Sequence, residues 1–190
     1  MFQCINLTPW QLSMNQETSQ QHPKVSVSLR NPAILDWLDA ISESNAILSA
    51  ILAVIHPKLY NAGWETTKHL KDPEICPRDI LIQWASVFSG VAVISNCITK
   101  PHQDLSSRVN SYDILASSGS YRDCILKLLG LGISLEYGPG TVVGMAGKVL
   151  EHEVPSFEGD RVCYAYFMRD NVHEWAKVPC CDWMKTDYYE

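Results

Sequence analysis

Apolar residues at Ile34, Leu35, Leu38 and Ile41, and again at Ile47, Leu48, Ile51, Leu52 and Ile55, recur at steps of three and four. That is the spacing of one buried helical face. Asn31 is a candidate N-cap and Pro32 a candidate first-turn residue, since an Asn side chain accepts an orphan N–H and proline lacks one. The pattern predicts helix over residues 32–60, with a bend near 42–45 and a second segment ending before Pro57. Residues 61–79, with Gly63, Pro73 and Pro77, read as loop. Ahead of the helices, residues 1–30 are polar, richest in Gln and Ser over 15–24, and read as an irregular arm.

From residue 84 the period changes. Val87, Val91, Val93 and Ile94 carry few charges between them and predict strand over 84–98, interrupted at Ser89-Gly90. Further strands are expected over 111–117, 123–137, 141–145, 148–154 and 161–169, separated by Pro/Gly turns such as Gly138-Pro139-Gly140 and Glu158-Gly159-Asp160. The stretch 123–137 opens with a run that also suits helix, and Gly130 and Gly132 favour strand. Helices followed by short strands predict an α+β domain built on an antiparallel sandwich or barrel.

The chain of 190 residues suits one domain with a short appendage. On this reading residues 1–30 are the arm and 31–190 a single domain, with helical support over 31–85, a β core over 86–170 and a tail over 171–190. No run of roughly 18 uncharged apolar residues exists, so no membrane span is expected. The apolar run 46–55 lies too far along to be a signal peptide. Seven cysteines stand at irregular spacing without a CxxC pair. They read as reduced thiols of an intracellular protein, with adjacent Cys180 and Cys181 the most redox-prone. A net charge of −6 argues against a broadly basic nucleic-acid binder.

The candidate chemistry starts at His102-Gln103-Asp104. In extended chain, residues i and i+2 face one side, so an imidazole and a carboxylate share a space. In the segment 148–154, Leu150, His152 and Val154 share a face while Glu151 and Glu153 face away, which turns His152 inward. Two histidines and one carboxylate are the ligand set of non-haem iron(II) oxygenases. Three ligands on one face leave three positions open, two for a keto-acid chelate and one for dioxygen. Arg161, nine residues on, shares a face with Cys163, Ala165 and Phe167. A hairpin is expected to set its strand beside that of His152. A buried arginine needs a partner, and a dicarboxylate suits its bidentate fork.

The segments VFSGVAVISN, HQD, SYDILASSGSY, PGTVVGMAGKVLEH and GDRVCYAYFMRDNV carry a more specific likeness. Over residues 87–169 the chain resembles the double-stranded β-helix core of the 2-oxoglutarate dioxygenases, and within them the fungal branch of the TET/JBP group of nucleic-acid base oxygenases. The resemblance implies an α+β jelly-roll with N-terminal helices packed on the sheet. It implies iron(II) held by His102, Asp104 and His152, and 2-oxoglutarate held at its distal carboxylate by Arg161, with Cys163 in the same pocket. It further implies dioxygen as co-substrate, succinate as product, and hydroxylation of a methyl group on a base, 5-methylcytosine or N6-methyladenine in DNA, flipped from a duplex into the pocket. A nuclear location follows from that expectation.

Asn110, Tyr112, Asp113 and His173 are candidate substrate contacts, and Tyr112, Tyr121 and Trp175 candidate stacking surfaces. Lys68, Lys71, Lys100, Arg108, Arg122, Lys127 and Lys148 are the candidates for a local basic face. The chain departs from its relatives at Cys97, where an arginine is common, and at Cys163, where a hydroxyl is common. A protein or small-molecule substrate, and a non-catalytic binding role, stay open as alternatives. The oligomeric state is not legible.

Overall fold

A computed structural model describes residues 3–7, 25–71, 83–105, 107–179 and 181–185. They fall into two compact units: residues 1–6 with 91–167, and residues 7–90 with 168–190.

The first unit is two sheets. The five-stranded one has the order β1 (Gln3–Leu7), β2 (Gly90–Ser95), β9 (Glu158–Phe167), β4 (Asp113–Arg122), β7 (Val142–Met145). The four-stranded one has the order β3 (Thr99–His102), β8 (His152–Val154), β5 (Ile125–Leu128), β6 (Ile133–Glu136). Alternation explains which side chains meet between them. In β4, Leu115, Ser117 and Tyr121 are buried. In β5, Leu126 and Leu128 are buried while Ile125 and Lys127 are half-exposed. Leu115, Tyr121, Met145 and Cys163 of the larger sheet share one apolar cluster with Leu126, Leu128 and Val154 of the smaller. The two inner faces therefore form one core, as in a jelly-roll.

Several expectations change here. Residues 123–137 are a hairpin rather than one strand: β5 and β6 pair from Ile125↔Glu136 to Leu128↔Ile133. The chain turns through a 3-10 segment at Leu129–Leu131 and through Gly132 at φ +65°, a conformation glycine adopts without a Cβ penalty. Glu158-Gly159-Asp160 is not a turn. It opens β9, pairing with Arg122, Tyr121 and Ser120 of β4. The expected hairpin between the His152 and Arg161 strands is absent, because β8 pairs with β3 and β5 while β9 pairs with β4. Pro155, with no N–H for a ladder, stands just after β8, and the chain crosses to the opposite sheet. Within the expected polar arm, Gln3–Leu7 is a sheet-edge strand and Val27–Arg30 a 3-10 turn. The Gln-rich segment 15–24 and Cys180 lie outside the described residues.

The second unit is helical: α1 (Pro32–Ala40), α2 (Ser42–Ile55), α3 (Pro57–Leu70) and α4 (Asp170–Trp175). Asn31 caps α1 through Oδ1, accepting from Ala33 N at 3.0 Å. The buried stripe of α2, Asn45, Leu48, Ser49 and Leu52, has the i, i+3, i+4, i+7 spacing. Residues 61–70, expected as loop, are helix. The second helix ends at Ile55, before Pro57 as expected, and Pro57 starts α3, with His56 Nδ1 accepting from Leu59 N at 3.3 Å. Gly63 is a packing position in this helix: a Cβ there would lie 2.5 Å from Met168 Cε and 2.6 Å from the Val87 carbonyl. Residues 84–89, expected as strand, are irregular, and only Gly90–Ser95 pairs. No single helix among the described residues is long and apolar enough to cross a membrane.

Candidate metal centre and anion pocket

His102 is the last residue of β3 and the cross-strand partner of His152. The ring centroids lie 4.2 Å apart. Asp104 lies beyond the strand end, held by its own N–H donating to the Gly147 carbonyl at 3.0 Å. Its Oδ2 stands 3.7 Å from His152 Nε2. Ligand atoms of His102, Asp104 and His152 all lie within 4.8 Å of one another, a set that can hold a metal ion.

Tautomers follow from the backbone. His102 Nδ1 lies 2.7 Å from the Lys100 carbonyl and His152 Nδ1 2.8 Å from the Leu150 carbonyl. A carbonyl only accepts, so each Nδ1 carries a proton and each neutral ring keeps its lone pair on Nε2. Desolvation by burial lowers the pKa of His152, which favours that ligand-ready form. The His152 side chain is 6% exposed and that of Asp104 is 41% exposed, so the set is open on the aspartate side.

Gly147 shapes the same place. A Cβ on it would fall 2.5 Å from Asp104 Oδ2 and 2.6 Å from Asp113 Oδ2. Asp113, a candidate substrate contact, is 3% exposed and accepts from Ser107 Oγ at 3.2 Å. It is tied to the loop that follows Asp104 rather than to the surface. Asn110 and Tyr112, on that loop, are half-buried. His173 is neither exposed nor in the sheet unit: it is buried in α4, its Nδ1 3.1 Å from Thr66 Oγ1 of α3.

Arg161 is 3% exposed. Its guanidinium carbon lies 5.0, 5.6 and 5.9 Å from the ring centroids of Tyr137, Phe157 and Tyr121. Its Nε donates to Ser117 Oγ at 3.1 Å. Among the described residues no carboxylate pairs with it. Burying an uncompensated charge costs several kcal/mol, so the pocket fits an anion such as a carboxylate. Cys163, buried beside it, lies 3.5 Å from the Tyr137 hydroxyl. Burial pushes that thiol up, which keeps it neutral. Tyr121 is committed to this core rather than free to stack a base, its hydroxyl 2.7 Å from Ser117 Oγ and 2.9 Å from the Tyr137 carbonyl. Cys97 is half-buried, its thiol on the Ile98 carbonyl at 3.2 Å, and supplies no cation.

Asn96, Ser117, Tyr137 and Gly147 escape the sequence reading as site residues. Asn96 brackets the Arg161 backbone: Oδ1 accepts from Arg161 N at 2.7 Å, and Asn96 N donates to Arg161 O at 2.8 Å. The available signal for Ser117 is alternation, since it sits two residues from Leu115 on the inward face of β4.

A two-sheet core with a His–Asp–His set that can hold a metal ion, and a buried arginine with no carboxylate partner among the described residues, has the features expected of a jelly-roll oxygenase. Residues 12–170 match the family Tet_JBP, described as the oxygenase domain of the 2OGFeDO superfamily. The chain belongs to that family and is an iron(II)- and 2-oxoglutarate-dependent dioxygenase. Among solved structures it is similar to NgTET1 in complex with 5mC DNA, with a TM-score of 0.65 and 15% identity. The likeness covers 98% of this chain and 67% of that one. At that identity it shows the double-stranded β-helix fold. No curated protein matches the chain.

Proposed function

We propose that the chain oxidises methyl groups on nucleic-acid bases, with 5-methylcytosine or N6-methyladenine in DNA as the substrate. Iron(II) is held by His102, Asp104 and His152, and 2-oxoglutarate by Arg161 at its distal carboxylate. The observation that carries this reading is the convergence of those three ligand atoms within 4.8 Å, with both Nδ1 protons spent on backbone carbonyls. Iron(II) with 2-oxoglutarate, when bound, supplies activation of dioxygen for hydroxylation of a C–H bond.

The chain's own groups prepare that step. The Lys100 and Leu150 carbonyls fix which nitrogen each imidazole presents. Gly147 leaves the space that the Asp104 carboxylate occupies. The aromatic walls around Arg161 exclude water from its cation, so a carboxylate there is held in a dry site where the attraction is strong.

A nucleic-acid substrate is supported by the similarity to NgTET1, which was solved with 5mC DNA. Lys68, Arg122 and Lys127 are engaged with Glu65, Glu158 and Glu153. Lys100 and Lys148 adjoin the metal set in sequence and are the cations best placed for phosphates. Asn110 and Tyr112 are the half-buried groups assigned to the base. The fungal branch, and with it a nuclear location, rests on the sequence segments alone. The net charge of −6 favours a second reading, a protein or small-molecule substrate.

The test is mass spectrometry of 5-methylcytosine and N6-methyladenine oligonucleotides after incubation with enzyme, iron(II) and 2-oxoglutarate. Oxidised or demethylated base with matching succinate is expected. Succinate without base change moves the protein to the second reading. Neither product, with both small molecules bound, makes it a non-catalytic member.

A further inference from the structure

The hydroxyls around Arg161 can be assigned one by one. Tyr121 has a single proton and two oxygen neighbours, Ser117 Oγ at 2.7 Å and the Tyr137 carbonyl at 2.9 Å. The carbonyl can only accept, so the Tyr121 proton goes there. The Ser117 hydroxyl then donates to Tyr121, and its lone pair takes the Arg161 Nε–H at 3.1 Å. Every proton in that relay ends on an oxygen.

Tyr137 is different. It is 1% exposed, and the Arg161 guanidinium carbon lies 5.0 Å from its ring centroid. Its hydroxyl stands 3.5 Å from Cys163 Sγ, so the hydrogen-bond partner that the tyrosine proton has there is a sulfur. A thiol sulfur is a weak acceptor, and buried hydroxyls in proteins are almost always matched with better ones. Burial raises the Tyr137 pKa well above the usual tyrosine range, so the proton stays in place as a donor. A buried cation without a carboxylate and a buried O–H without an oxygen acceptor thus stand side by side. One carboxylate satisfies both.

We propose that the Tyr137 hydroxyl is a second, direct donor to the distal carboxylate of 2-oxoglutarate, and that Tyr137 with Arg161 makes the pocket select keto acids that carry this second carboxylate. The inference rests on the co-substrate reading given above. The thiol of Cys163 is the weak resting partner that the incoming carboxylate replaces.

Affinities are measured anaerobically on the iron(II)-loaded full chain, comparing wild type with Tyr137→Phe, which removes the hydroxyl and keeps the ring. Two probes are used: 2-oxoglutarate, and 2-oxopentanoate, which has the same carbon count and no distal carboxylate. Tyr137→Phe is expected to weaken 2-oxoglutarate by about 10- to 100-fold, the equivalent of one hydrogen bond to a charged group. Binding of 2-oxopentanoate should be unchanged, because it makes no contact with the missing hydroxyl. Unchanged 2-oxoglutarate affinity overturns the proposal. Equal weakening of both keto acids also overturns it, since that marks a structural effect. If wild type itself fails to bind 2-oxoglutarate, the co-substrate reading falls and this inference with it.

Discussion

His102 and His152 are cross-strand partners in the β3–β8 pair, and each spends its Nδ1 proton on the carbonyl two residues before it. The ring centroids lie 4.2 Å apart, with both Nε2 atoms left to coordinate. The antiparallel β3–β8 pair, which shifts register between Thr99 and His102, therefore places two of the three candidate ligands opposite each other. The third candidate ligand, Asp104, depends on a loop, and its support is where the candidate centre is most open to perturbation.

Gly147→Ala tests that support. The new Cβ would meet the ends of two carboxylates, Asp104 at 2.5 Å and Asp113 at 2.6 Å. Overpacking of this kind costs about 1–3 kcal/mol, and the easiest relief is movement of the Asp104 side chain. Iron(II) affinity should fall by about 10-fold or more, the size of a lost supporting contact, while the circular dichroism spectrum is retained. Wild-type iron affinity in this variant would show that Asp104 does not rely on the space.

Asn96 holds Arg161 by the backbone and sits at φ +50°, a left-handed conformation open to glycine. Asn96→Gly keeps that conformation and removes the amide that accepts from Arg161 N and donates to Asp160. A loss of about 1–3 kcal/mol in denaturant unfolding is expected from the orphaned N–H. 2-Oxoglutarate should bind more weakly and iron(II) as before. Equal loss of both ligands would contradict a role confined to Arg161.

Gly63→Ala pits helix propensity against packing. Alanine in a helix gains about 1 kcal/mol over glycine. Here its Cβ would lie 2.6 Å from the Val87 carbonyl, a backbone atom, and 2.5 Å from Met168 Cε. Overpacking at about 1–3 kcal/mol wins, so chemical denaturation should show net destabilisation. A stabilised variant would mean that Val87 moves freely.

The clustering of His102, Asp104 and His152 as a candidate metal set was legible in the sequence because alternation and the HxD spacing are local. His152 is flanked by outward Glu151 and half-buried Glu153, as its strand pattern requires. Pairing was not legible. His152 and Arg161 lie nine residues apart, yet their strands belong to opposite sheets. Periodicity says which face a residue takes and not which strand lies beside it. Gly63 misled for a related reason: glycine signals a loop locally, but here the neighbours Val87 and Met168, distant in the chain, demand it. Tyr137 and Ser117 carry no motif, and their relation to Arg161 arises only once β4 and β9 pair.

The most direct test of the claim that His102, Asp104, His152 and Arg161 form one iron–2-oxoglutarate site is an anaerobic spectrophotometric titration. Iron(II) is added to the protein, then 2-oxoglutarate, and the visible charge-transfer band of the chelated keto acid is followed. Wild type should develop the band at one equivalent of each. His102→Ala and His152→Ala should lose it, with iron affinity reduced beyond the roughly 10–100-fold typical of supporting residues. Arg161→Ala should require far more 2-oxoglutarate to reach it. A wild-type protein that binds no iron(II), or a band that survives His102→Ala, would contradict the account.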